Sequence, residues 1–225
     1  MTDCCRIGKI QESVRVEKTM REKRDELFAQ KVIKGLASRN ITGYYAATAE
    51  EAKEIALSLI PEGSKVTNGG VQSAKEIGLL QALEEGNYEY CNREKYTDKK
   101  AAALFAYTAD FYISSCNAMT DDGILVNIDG NSNRVSAIAF GPEKVIFIVG
   151  MNKVTSDFDS ALKRARNEAA PINAMRFDID TPCKKTGSCA NCKSPDTICC
   201  NFMVTRYSRH KDRMHVILVD ENLGF

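Results

Sequence analysis

The sequence predicts an α/β protein, with a largely parallel sheet covered by helices on both faces in three layers. Three observations carry this expectation. Short apolar runs alternate along the chain with segments of helical period. Two of those runs, Val145 to Val149 and Met214 to Val219, are apolar without interruption, the pattern of strands buried on both faces. Polar and glycine residues cluster just after the runs, and in an open α/β sheet the carboxyl ends of strands are where ligands bind. A chain of 225 residues with 44% apolar and 27% charged residues is long enough to bury such a core as one domain over 1–225.

The elements follow in order. Glu12 to Arg39 is rich in charged helix formers, with Val16, Met20, Leu27, Val32, Ile33 and Leu36 as its apolar face. Asn40 ends it, and Ile41 to Ala47 reads as a strand. Thr48 and Glu51 form a T-x-x-E capping box before a helix with Ala52, Ile55, Ala56 and Leu59 inward. Pro61-Glu62-Gly63 stops that helix. A short strand from Lys65 to Thr67 leads through Asn68-Gly69-Gly70 into a helix from Val71 to Leu83. Tyr88 to Cys91 is a strand. Thr97 or Asp98 then caps a helix reaching Ala109, with Ala101, Leu104, Phe105 and Thr108 inward.

Phe111 to Ser114 is the next strand, and the polar run after it reaches Asn117. Asp121-Asp122-Gly123 makes a turn. Ile124 to Ile128 and Val135 to Phe140 then read as an antiparallel pair, joined by the turn residues Asp129 to Asn133. Gly141-Pro142 ends the second of them. Beyond Lys153, Thr155 or Ser156 caps a helix containing Phe158, Leu162, Ala165 and Ala169, which Pro171 ends or kinks.

The polar strand ends predict one cleft surrounded by Asn68, Gly69, Gly70, Asn117, Asp121, Asp122, Asn127, Asp129, Asn152 and Lys153. Strand, glycine pair and helix together present free backbone N–H groups to an anion, and Ser73 adds a hydroxyl. Lys153 adds a point charge. Asp121 and Asp122 are the candidate acid/base groups. The glycine pair matches neither a Walker loop nor a dinucleotide fingerprint, and the chain carries no nicotinamide or flavin motif. Each of these residues alone also fits an ordinary turn.

Five of the nine cysteines fall between Cys183 and Cys200. Cys189-x-x-Cys192 lets two thiolates face one ion, and Cys183 and Cys199 flank them at loop-compatible distances, with Cys200 in reserve. Lys184, Lys185 and Lys193 offset thiolate charge. On spacing, an iron–sulfur cluster and a four-thiolate zinc stand level, with free thiols as the third reading. Few apolar residues lie between Thr181 and Thr197, so the lobe at 181–201 needs ligation to order it. Cys116 reads either as a site thiol or as a small buried hydrophobe.

The order NAMTDDGILVNIDG, then NR, then FGPEKVIFIVGMNK resembles the signature of the lactate-utilisation (LUD) domain family. NGGVQSAKEIGLLQAL upstream and TPCKKTGSCANCKSPDTICC downstream extend the resemblance over residues 10 to 225. It implies a fold like those of ribose-phosphate isomerases and CoA transferases. It also implies a part in oxidising a small hydroxy acid, lactate to pyruvate. Electrons would then pass through a cluster of the chain's own or through another lactate-utilisation subunit. That redox association favours iron–sulfur over zinc. The alternatives are an isomerase or transferase binding a phosphorylated or CoA-linked ligand, and a zinc-stabilised subunit without catalysis.

A net charge of +1 gives no bulk attraction to nucleic acid or to an anionic membrane. No apolar run is long enough to span a bilayer, and MTDCCRIGKI lacks the apolar core of a signal peptide. The expectation is a cytoplasmic protein with a small anionic ligand; a homo-oligomer is compatible with it.

Overall fold

The computed structural model describes residues 18–225. Val16, Cys4 and Cys5 lie outside them. The first helix, α1, spans Met20–Ser38 and starts at a capping box: the Thr19 hydroxyl accepts from Glu22 N, and the Glu22 carboxylate accepts from Thr19 N. Its inward face is Asp25, Ala29, Val32 and Leu36. Met20 and Leu27, expected inside, are 83% and 73% exposed, because the stripe that meets the sheet runs through Ala29 and not Leu27. Asn40 ends the helix with φ +58, an angle asparagine tolerates.

Strand β1 is Thr42–Ala46 and helix α2 is Ala49–Ser58. Thr48 caps α2, but Glu51 reaches past it to Ala47 N, so the reciprocal half of the expected box is displaced by one residue. Strand β2, Lys65–Asn68, is followed by two short helices, α3 (Gln72–Glu76) and α4 (Leu79–Glu85). The single helix expected over 71–83 breaks at Gly78, which adopts φ +73. Strand β3 is Glu89–Cys91. Asp98 caps α5, Lys99–Phe105. The buried residues here are Ala102, Ala106 and Ala109, while Leu104 is 58% exposed, so the inward stripe lies one residue off the expected one.

Strand β4 is Phe111–Ser114, β5 is Ala118–Thr120 and β6 is Leu125–Asp129. The segment expected as a returning strand is a helix, α6, Asn133–Ala139. The four backbone N–H groups of Asn131, Ser132, Arg134 and Val135 all point at the Asp129 carboxylate, and that local capping outweighs the β-propensity of the apolar residues that follow. Strand β7 is Lys144–Gly150. A single 3-10 turn, Met151–Lys153, leads to β8, Val154–Thr155. Helix α7, Phe158–Arg164, is capped by Asp157 rather than by Thr155 or Ser156. A π-helical segment, Ala165–Ala169, separates it from α8, Ala170–Ala174. The wider turn precedes Pro171, which lacks an N–H, so the helix passes the proline instead of ending there. Helix α9 is Pro182–Thr186, strand β9 is Asn201–Thr205 and strand β10 is Met214–Val219.

Six strands form an all-parallel sheet in the order β1-β10-β7-β4-β2-β3. The period of two in β7 feeds both faces. Ile146 and Ile148 pack with α2, α3 and α4 on one side, and Val145, Phe147 and Val149 pack with α1 and α6 on the other. A second, four-stranded sheet runs β8-β5-β6-β9, with β6 antiparallel to both β5 and β9. The antiparallel partners of β6 are therefore β5 and β9, not the 135–140 segment. Among the described residues no helix is long and apolar enough to cross a membrane.

Candidate functional site

The order of the parallel sheet reverses between β2 and β4, adjacent strands from which the chain leaves in opposite directions. Loops diverge there and leave a crevice beyond the carboxyl ends. A cleft of about 430 Å³ occupies that place, lined by Gly70 after β2, by Ser115, Cys116 and Asn117 after β4, and by Lys153 after β7. Arg134 and Asp129, from the start of α6 and the end of β6, form another wall.

Arg134 is fixed by neutral acceptors. One amino group donates to Ser115 O and Asn127 Oδ1, the other to Asn117 Oδ1 (3.2 Å) and Ile128 O (2.7 Å). Lys153 is 2% exposed, and its Nζ donates to Ser73 Oγ (2.9 Å) and Ser115 Oγ (3.1 Å). Burial pushes its ammonium down to about 8, helped by the Arg164 and Arg134 guanidinium groups and opposed by Cys116 and Glu76. Among the described residues, neither Arg134 nor Lys153 has a carboxylate within 4.0 Å. Arg93, Lys99 and Arg176 add positive charge at the rim; the acids there are Glu94, 3.9 Å from Arg176, and Asp129, whose oxygens are taken up by backbone N–H groups. Two cations held in place without counter-ions make a site for a small anion.

The expected residues divide into three groups. Gly70, Asn117, Asp129 and Lys153 line the cleft. Others stand one layer behind and hold it. Ser73 supports Lys153, and Asn127 is fully buried and supports Arg134. Asn68 bonds to Tyr90 and to Gly69 O. A side chain on Gly69 would meet the Tyr112 hydroxyl at 2.7 Å and Arg134 at 3.0 Å, whereas one on Gly70 would meet nothing within 4 Å. Asn152 accepts from Leu223 N and Arg164. Arg164 also donates to Asn117 O, and so ties the loops after β4 and β7 together.

Asp121 and Asp122 form the third group, and correct the expectation of a single cleft. Their turn packs on α1: Asp121 pairs with Lys31 at 2.5 Å, and Asp122 with Arg39. The Thr120 hydroxyl and Arg39 hold the Asp122 carboxyl below the usual range. Gly35 and Gly123 permit this close contact; a Cβ on Gly35 would lie 2.6 Å from Asp122 Cα. Neither carboxylate reaches the cleft. The glycine pair is followed by a helix of only five residues, so Arg134 and Lys153 supply the positive charge that a longer helix was expected to give. Arg93, Lys99, Arg176, Ser115 and Arg164 were not singled out by the sequence. Arg134 entered only as part of the NR of the family signature, and reading 135–140 as a strand hid its role.

Cys183, Cys189, Cys192 and Cys199 line a second, smaller pocket of about 70 Å³, with Ile198 and Pro171 among the other walls. Burial, and then the thiols of Cys189, Cys183, Cys192 and Cys200 around it, push Cys199 up to about 11. Among the described residues, no three His, Cys, Asp or Glu side chains are arranged to hold a single metal ion. The donor chemistry fits a sulfur-ligated group, and the spacing of the thiols does not fit one ion. Ile198 lines both this pocket and the cleft, so the two are neighbours.

The model of the LUD domain family matches residues 29–219. No curated protein matches the chain. Among solved structures, a DUF162 family protein from Deinococcus radiodurans superposes with a TM-score of 0.51 at 10% identity, covering 86% of this chain and 96% of that one. That likeness is one of fold. The delta subunit of eIF2B from Chaetomium thermophilum is similar at 17% identity over 66% of this chain and 63% of its own, with a TM-score of 0.33.

Proposed function

The chain belongs to the LUD domain family, which is associated with lactate utilisation, and from that premise we propose that it takes part in the oxidation of a small hydroxy acid such as lactate. The observation that carries this reading is the pair Arg134 and Lys153, both facing one cleft and both without a carboxylate partner among the described residues. A small carboxylate supplies the missing charge. Arg134, held rigid by four neutral acceptors that take up its amino N–H groups, attracts the carboxylate by its charge, and Lys153 with its two serine hydroxyls faces the functional carbon.

Oxidising a 2-hydroxy acid removes two electrons and two protons. The cysteine lobe supports an iron–sulfur cluster as the electron carrier, with Cys183, Cys189, Cys192 and Cys199 as its ligands and Cys200 in reserve. Such a group supplies one-electron transfer when bound. Bound there, it would lie beside the cleft, whose lining also includes Ile198, and another lactate-utilisation subunit would take the electrons onward. A structural zinc is the competing occupant of the same thiols, and it would require them to draw closer together than they stand.

Two measurements test the reading. Calorimetric titration of wild-type protein with lactate and with pyruvate should show binding. Arg134→Met should weaken it by tenfold or more, about 1.4 kcal/mol or greater. Protein purified without air should contain iron and sulfide. Zinc alone would assign the lobe to structure, and an absence of binding to both acids would overturn the reading of the cleft.

A further inference from the structure

Lys153 is the one buried lysine among the described residues. Among those residues no carboxylate pairs with it, and its amine is held between two hydroxyls on the wall of the cleft. A permanently charged ammonium that deep would require a counter-ion. The groups that face Lys153 are Cys116, Arg164, Glu76 and Arg134; the two guanidinium groups oppose its charged form, Cys116 and Glu76 favour it, and burial is the larger effect. Burial beside other cations is the setting in which a lysine becomes a nucleophile.

We propose that Lys153 condenses with the carbonyl carbon of a 2-oxo acid to form an imine in the cleft. This rests on reading the cleft as a site for small carboxylates. The nitrogen lone pair forms the new C–N bond, while the carbonyl π pair moves to oxygen, which takes a proton. The resulting carbinolamine loses its oxygen as water, and the nitrogen gives up its protons as the C=N bond forms. One water leaves, and no electrons are gained or lost overall. Ser73 and Ser115, at 2.9 and 3.1 Å from Nζ, are placed to relay those protons. Arg134 holds the carboxylate while the carbon is attacked. A 2-hydroxy acid fits the same cleft but has no carbonyl to condense. The chain therefore distinguishes the reduced from the oxidised acid by a covalent bond.

The test traps the imine. Full-length protein is incubated at neutral pH with pyruvate or glyoxylate and sodium cyanoborohydride, then mapped by peptide mass spectrometry. The expected result is an adduct on Lys153 that needs both the oxo acid and the hydride. It should form roughly a hundredfold faster than on exposed lysines, as expected from the larger fraction of free amine. Lactate should slow it without adding mass, and Lys153→Arg should lose it. Ser115→Ala should slow trapping without removing the amine, which covers the case of an arginine variant that fails to fold. Binding of either oxo acid by calorimetry with no adduct on Lys153 overturns the imine and leaves the carboxylate site standing. Labelling spread evenly over surface lysines also overturns it. Neither binding nor adduct overturns both.

Discussion

The cleft and the cysteine lobe are neighbours across Ile198, yet they are ordered by different physics. The cleft hangs from β4 and β7, whose residues are almost all buried, so the hydrophobic core places its loops before any ligand arrives. In the lobe, Thr181 is the one buried residue between 181 and 200, and α9 buries none. Little apolar burial is available there to offset the entropy of ordering about twenty residues. One site is preformed by packing. The other has four thiols around a small pocket and little packing to hold them. Ligand loss should leave the first intact and release the second.

The largest expected effect breaks that contrast directly. Cys189→Ser or Cys192→Ser should abolish cofactor content and make residues 181–200 protease-sensitive, with the thermal transition of the α/β core nearly unchanged. Wild-type protein that is free of iron and zinc yet equally protease-resistant in this segment would show that the lobe orders itself.

A smaller effect lies on the cleft side. The folded pKa of Lys153, about 8, lies below the 10.5 of an ordinary lysine, so the unfolded chain binds more protons between those values. Stability attributable to Lys153 should therefore rise as pH increases through that window, by up to about 3 kcal/mol. Lys153→Met should remove this dependence and match or exceed wild-type stability below pH 8; denaturant melts of both proteins across that range provide the check. The smallest effect is expected at Asp122→Asn. Its pair with Arg39 lies on the surface, so the change should cost no more than about 1 kcal/mol in a denaturant melt and should leave lactate binding unchanged.

The same contrast explains what was legible in the sequence. The core strands were legible because double burial leaves an uninterrupted apolar run, as at Val145 to Val149 and Met214 to Val219. Lys153 and Asn117 followed, since they stand where those strands and β4 end. Residues 135–140 were not legible, because their helix depends on the Asp129 carboxylate gathering backbone N–H groups, a feature that leaves only common turn residues in the sequence. The role of Arg134, present in the sequence only as part of the NR motif, was hidden with it. Asp121 and Asp122 carried the right chemistry at a strand end, but their strand belongs to the smaller sheet, and the Gly35–Gly123 contact draws that turn onto α1. Asp129, at the end of β6 in the same smaller sheet, does line the cleft, so it is the local contact with α1 that takes Asp121 and Asp122 away.

The central claim is that the cleft holds cations awaiting a carboxylate. An anion that settles beside Lys153 must raise its pKa, and so binding near pH 8 must take up protons. Titrating lactate into the protein at that pH, in buffers of different ionisation heat, measures the uptake. The account predicts net proton uptake by wild-type protein and none by Lys153→Met. Lactate binding with no proton uptake by the wild type would contradict it.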